Sequence, residues 1–292
     1  MVDRSVSESP EGASEETALH TYEVMESEKT IPDRIGMVIC SEPFSTPFDI
    51  QGKKDLGMAY FLSRQKQGNF NPKLASETVD FVCKIMSQRT FPCKETKLIF
   101  LPNLFPAKFP KQSFDFAGGL HLMDQELLFK ANQIDKRHHL YKHLAGCMAF
   151  TFFGGRVREE NWSDTWLLVA IRERIGDRFV KSKCGALLYR YKIWSRIEKL
   201  YKKIKMGAEV HPLQRPARKM DDERVELKGL GCPEPANQVA SDIFYCKCGL
   251  IMHMIELKIG DLFDRILREM YIKGIAEPER TISAVLFRNT YR

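Results

Sequence analysis

No two cysteines in this sequence stand at the C-x-x-C spacing, although there are eight of them, at 40, 83, 93, 147, 184, 232, 246 and 248. That absence removes the usual zinc-knuckle and dithiol frameworks. Cys246 and Cys248, one residue apart, favour neither a knuckle nor an easy disulfide and read as core or interface thiols, reduced as is the rule inside cells. No run approaches the roughly 18 apolar residues of a membrane-spanning helix. The first residues are acidic, unlike the basic and then apolar start of a signal peptide, so an intracellular location is expected. The nucleophile elbow, the P-loop and the dinucleotide glycine fingerprint are also missing. Ala117-Gly118-Gly119 is followed by an alternating run, not by the helix such a motif needs. No internal repeat is visible.

What is present can build a core, since 43% of the 292 residues are hydrophobic. The net charge of +7 divides unevenly. Residues 1–34 carry nine acids against three bases, or −6, leaving residues 35–292 with 42 bases against 29 acids, or +13. A body this basic points to an acidic partner without deciding between nucleic acid and protein. The serine- and glutamate-rich opening has few large apolar residues, and residues 1–30 are expected to be disordered.

Patterning then gives a coarse order of elements. RIGMVICSEPFS, from Arg34, reads as a buried strand and turn, KKDLGMAYFLSRQKQ as a short helix stopped by GNFNP, and LASETVDFVCKIMSQRT as an amphipathic helix. A strand is expected from Lys97 to about Asn103, and another, at a sheet edge, around Leu120 and Leu122. From Asp135 onward the pattern is helical. Leu187, Tyr191, Trp194, Ile197, Tyr201 and Ile204 form an apolar stripe at helical spacing, expected to be core. Residues 207–238, with four prolines, read as a long loop insertion. Two helices, or one bent near Gly260, follow.

The stretch from His139 to Glu173, HLYKHLAGCMAFTFFGGRVREENWSDTWLLVAIRE, has the outline of a zinc peptidase helix and its following turn. A zincin helix needs H-E-x-x-H, because histidines at i and i+4 reach one metal from one face with the glutamate beside them as general base. This chain has no H-E-x-x-H. Phe153-Gly154 and Trp162-x-Asp164-x-Trp166 nevertheless match the F-G turn and W-x-D-x-W of the gluzincin aminopeptidases, which the chain resembles over most of its length. The resemblance places Gly146 and Phe150 at the two histidines, Cys147 at the general base and Val169 at the third ligand. It places His121 at the glutamate that anchors a peptide amino terminus, and Tyr245 at the oxyanion tyrosine. Only the last is retained, and one hydroxyl without a metal is not a mechanism.

Lost ligands combined with F-F-G, W-S-D and the helix YRYKIW resemble most the family of the aminopeptidase-like subunit of the general transcription factor TFIID. That resemblance implies an α/β fold of the thermolysin-like gluzincin aminopeptidase type, a small mixed sheet on a mainly helical body with a degenerate zinc site. The domains it implies are a remnant of an N-terminal β domain at 31–48 and an inactive aminopeptidase-like domain at 49–292. It further implies a nuclear, non-enzymatic scaffold for RNA polymerase II preinitiation, with no cofactor and no metal. Its partners would be TATA-binding protein, TBP-associated factors and promoter DNA. The competing reading is a divergent zinc metallo-aminopeptidase. His139 and His143 have metal-pair spacing, but Leu140 stands at the general-base position between them and Trp162 where a third ligand would fall.

Residues 189–219 hold ten bases against two acids. Lys192, Arg196, Lys199, Lys202, Lys203, Arg215, Arg218 and Lys219 are therefore the candidate contacts for phosphates or a partner. His253 reads as a packed histidine with one hydrogen bond, and Trp162 and Trp166 as core.

Overall fold

The computed structural model describes residues 43–102, 113–129, 133, 137–161, 164–206 and 242–291. The expectations for residues 1–30, for residues 31–42 and for the 207–238 insertion lie outside these, as do Trp162, Arg215, Arg218 and Lys219.

The chain first builds a five-stranded mixed sheet: β1 (Phe44–Ile50), β2 (Lys53–Phe61), β3 (Thr96–Leu101), β4 (Ser113–Asp115) and β5 (Leu120–Asp124), in the spatial order β1-β2-β3-β5-β4. The outer pairs are antiparallel and the inner pairs parallel. Two sequence expectations are corrected here. KKDLGMAYF is a strand, not the start of a helix. Gly57, Ala59 and Phe61 alternate inward along it, and only Arg64–Gln67, α1, is helical. Leu120–Asp124 lies inside the sheet between β3 and β4, because the short Ser-Phe-Asp run takes the edge. The boundary at residue 48 falls within β1, which pairs with β2 and so belongs to the same sheet as the rest.

Helix α2 (Pro72–Met86) starts where Asn71 accepts the Leu74 amide and proline takes the first position. It packs Leu74, Val79, Val82 and Met86 into a core where the Phe61 and Phe100 rings stack at 5.2 Å. Helix α3 (Arg137–Phe152) shows little one-sided patterning because it is enclosed on several sides, with Leu144, Cys147, Met148 and Phe152 all buried. The Phe-Phe-Gly-Gly turn closes it. Gly154, at φ +131°, lies against the Phe150 ring, so both its backbone angle and its missing Cβ are required.

Helix α4 (Thr165–Lys205) is 41 residues long and bent at Gly185, whose φ of +87° and ψ of 168° are open only to glycine. Helices α5 (Asp242–Ile259) and α6 (Leu262–Ala276) follow, with Gly260 between them. Strands β6 (Arg158–Glu159) and β7 (Thr281–Ile282) pair in parallel across the two halves of the chain, ahead of α7 (Ala284–Tyr291). Asp164 of the W-x-D-x-W motif is buried and accepts the Ala284 amide at 3.1 Å, and Trp166 is core. That aspartate therefore holds the start of α7 in place.

Candidate functional site

The region where sheet, α3 and α4 meet gathers most of the residues singled out in the sequence. His121 on β5 is fully buried, and its Nδ1 lies 2.8 Å from Oδ1 of Asp115 on β4. Cys147 on α3 hydrogen-bonds the same carboxylate. Arg172 on α4 pairs with the other carboxylate oxygen, donates Nε to the Gly146 carbonyl at 3.3 Å, and lies 4.9 Å over the Phe150 ring. Phe150 and Val169 are both buried. Two apolar side chains and a guanidinium therefore occupy the neighbourhood of the positions where the resemblance expects zinc ligands.

The electrostatics follow from this packing. Burial opposes ionisation of Asp115, but Arg172 and the hydrogen bonds from His121 and Cys147 outweigh it and hold the carboxyl well below its ordinary range. Burial likewise opposes the charge on Arg172, and Asp115 more than restores it. The Tyr245 phenol on α5 is pushed up by burial against the pull of Arg172, so it keeps its proton at neutral pH. His143 is pushed down by burial, then by Lys142 and His139, and is neutral at pH 7.

Asp115, His121 and Cys147 place one possible ligand atom each within 4.8 Å of one another, the one such trio among the described residues. The zinc of a peptidase does not fit it. Zinc bonds of 2.0–2.3 Å require ligand atoms roughly 3.3–3.8 Å apart. Asp115 Oδ1 and His121 Nδ1, 2.8 Å apart in a direct hydrogen bond, would have to separate to admit an ion between them. Gly146, Phe150 and Val169 supply no ligating side chain. His139 and His143 do not join the trio.

A second charged seam joins α4 to α5 and α6. Arg196 is paired with both oxygens of Asp177 and lies 3.7 Å from Glu173, which also receives Lys142. Arg174 pairs with Glu256 and donates to the Tyr189 hydroxyl at 2.6 Å, and that hydroxyl meets His253 Nδ1 at 3.0 Å. His253 is thus a packed histidine held by one tyrosine. Arg178 and Asp264 pair through both guanidinium nitrogens.

Two sequence expectations fail on this seam. Arg196 is not an available contact for phosphates, because it is turned inward and neutralised. The apolar stripe is not core: Leu187 is 84% exposed, Trp194 56% and Tyr201 63%, with Tyr191, Ile197 and Ile204 also exposed. The face of the bent arm that docks on the body carries Tyr189 and Arg196 instead. Lys202 is exposed and paired with Glu198 one turn away, Lys199 and Lys203 are exposed, and Lys192 is half-buried. Sequence reasoning missed Asp115, Arg172, Arg174 and Asp177. For the three on α4 the available signal was charged residues at helical spacing among apolar ones, a pattern a buried helix tolerates only when its charges are paired.

The fold is that of the catalytic domain of the M1 zinc metallopeptidases. The enzyme from Deinococcus radiodurans superposes with a TM-score of 0.58 at 15% identity, covering 85% of this chain and 47% of that one. Yeast LTA4 hydrolase gives 0.58 at 14%, covering 85% and 35%. Among sequence relatives, the chain is similar to transcription initiation factor TFIID subunit 2. It is 27% identical to the Gallus gallus protein and 26% to that of Danio rerio, over 146 residues in each. The match takes in 49% of this chain but only 12% of either relative. No family model matches the sequence.

Proposed function

We propose that the protein is a non-enzymatic subunit of TFIID, acting in the nucleus as a scaffold for assembly of the RNA polymerase II preinitiation complex. The observation that carries this reading is the Arg172–Asp115 pair lodged beside Gly146, Cys147, Phe150 and Val169, in a chain whose sequence relatives are TFIID subunit 2. A peptidase of this fold needs an open metal coordination position. The side-chain cation, its carboxylate and the aromatic ring beside the positions that the resemblance assigns to the ligands support this reading. His121 stands where the resemblance expects the carboxylate that holds a peptide amino terminus, and its buried ring is tied to Asp115.

In this reading the old peptidase body is a rigid platform, and its partners are TATA-binding protein and TBP-associated factors. Promoter DNA contact falls to the exposed bases Lys199, Lys202 and Lys203, together with Arg215, Arg218 and Lys219, which lie outside the described residues. Recovery of the tagged chain from nuclear extract tests the assignment. TATA-binding protein with its associated factors should co-purify, and a chain that comes out alone removes it.

The divergent-peptidase reading draws on the Asp115-His121-Cys147 trio. It requires near-stoichiometric zinc in the purified protein.

A further inference from the structure

The cleft beside α3 is crowded but not closed, and the hydrogen-bonding groups around it are not all used. Gly146 puts no side chain into it, and a Cβ built there would meet no atom within 4 Å. Arg172 commits one edge of its guanidinium, Nε to the Gly146 carbonyl and Nη2 to Asp115. Its Nη1 has no acceptor among the described residues, and a side chain 25% exposed keeps that end within reach of a ligand. The Tyr245 hydroxyl lies near enough to Arg172 and Asp115 to feel both charges, and it too makes no hydrogen bond among the described residues.

His121 supplies the third group. Asp115 is ionised and can only accept, so Nδ1 of His121, 2.8 Å from Oδ1, carries the hydrogen of that bond. In the neutral ring Nε2 is then a bare acceptor, and it is buried with no partner among the described residues. Buried polar atoms of this kind are rare in native structures and mark a site. Arg172 and His121 stand side by side, because they hold the two oxygens of one carboxylate. Both also border Phe150, with the guanidinium carbon 4.9 Å and the imidazole centroid 6.5 Å from the centre of its ring.

Charge and geometry together select the ligand. Asp115 already balances the Arg172 charge, so a neutral group can enter without leaving a buried charge unpaired. It has to offer an acceptor to Arg172 and Tyr245 and a donor to His121, both from one edge. A carboxylate has no donor and an ammonium no acceptor. A trans secondary amide has both, but its N–H and C=O point in opposite directions. A primary carboxamide presents its C=O and one N–H side by side. We infer that this cleft binds a primary carboxamide, its oxygen on Arg172 Nη1 and the Tyr245 hydroxyl, its nitrogen on His121 Nε2, and the group that carries it over Gly146. The inference does not rest on the TFIID reading: a chain that fails to recover TATA-binding protein would leave it standing.

The test titrates the full chain by calorimetry with benzamide and with three ligands of nearly the same shape: N-methylbenzamide, benzoate and benzylamine. Benzamide should saturate one site and bind about tenfold more tightly than each of the others, since each of those leaves a group of the cleft unpaired. Tyr245→Phe should weaken benzamide about fivefold at unchanged thermal midpoint, because the hydroxyl it removes bonds nothing in the described protein. Gly146→Leu should abolish binding by filling the space, and Tyr245→Phe keeps the test valid should the leucine variant not fold. N-acetylglutamine N-methylamide separates two sources of the carboxamide. Tighter binding than benzamide supports a glutamine side chain of a partner protein, and weaker binding supports a free small molecule.

N-methylbenzamide binding as tightly as benzamide overturns the inference, because the bond to His121 would then count for nothing. So does a preference for benzoate, which would make this an anion site on Arg172, or for benzylamine, which would make it a cation site on Asp115. Benzamide binding that Tyr245→Phe leaves unchanged places the ligand elsewhere and overturns it too. Binding that a chelator abolishes would mean a metal holds the ligand, and no binding of any of the four likewise ends it.

Discussion

Arg172 of α4 grips the same Asp115 carboxylate that His121 of β5 holds at 2.8 Å, so one buried acid ties the sheet to the longest helix. Removing its charge should be costly in a specific way. Asp115→Asn leaves the guanidinium without its counter-charge, and a loss of about 3–5 kcal/mol is expected in urea unfolding. Adding Arg172→Met to that variant should recover much of the loss, because an apolar replacement of the whole pair avoids the unpaired charge. A double variant no more stable than Asp115→Asn alone would show that Arg172 is held by something else.

Stability should fall in two stages with acid. His143 and His253 are both pushed below the ordinary imidazole range, burial being the first cause in each. Their neutral forms favour the fold, so their contribution is complete above the unfolded pKa of about 6.5 and shrinks as pH drops through it. Asp115 and Asp177 are held below the ordinary carboxyl range, burial being outweighed by Arg172 and Arg196 respectively. Their contribution is complete above about pH 4 and is lost as pH falls toward the lower folded values. Urea midpoints measured from pH 8 to pH 2 should show both declines, and Asp115→Asn should blunt only the second.

Gly185 can be tested without touching any contact, since a Cβ there meets nothing within 4 Å. Its backbone angles alone forbid a side chain, so Gly185→Ala should cost about 1–3 kcal/mol. If α4 responds by straightening, Tyr189 and Arg196 leave Arg174 and Asp177, and protection from hydrogen exchange should drop across both arms. An alanine variant as stable as the parent would mean that the bend is not maintained.

Restoring the peptidase groups should not restore the enzyme. A variant carrying Gly146→His, Cys147→Glu, Phe150→His and Val169→Glu is expected to show no aminopeptidase turnover. His121 still lacks the charge to hold a peptide amino terminus, and Arg172 still projects a cation beside the new ligands. Turnover on an aminoacyl chromogenic substrate in that variant would mean the cleft had kept its other functions.

Legibility in the sequence followed the range of the physics. The F-F-G-G turn, the helix before it and the Asp164–Trp166 motif could be read directly, because their constraints lie within a few residues. The strand at Lys53–Phe61 was misread because its inward residues include Gly57 and Ala59, which carry almost no hydrophobic signal, while Leu56, Met58 and Tyr60 between them blur the alternation. The stripe from Leu187 was placed in the core on its helical spacing. Which face of a helix is buried depends on the docking of Tyr189 and Arg196 against residues up to 64 positions away, and spacing alone does not contain that. Asp115 was invisible for the same reason: its partners come from three different elements.

The parallel clip between Arg158–Glu159 and Thr281–Ile282 sets an order of events during synthesis. Long-range pairings are slow to form because they close large loops before anything stabilises them. The sheet and α3 can assemble while α4 is still being made, but the strand that locks the turn after α3 arrives more than a hundred residues later. Until then Val157 lacks Ile282 and the Asp164 carboxylate lacks the Ala284 amide, so a ribosome stalled anywhere short of residue 284 displays a body that is built but not sealed.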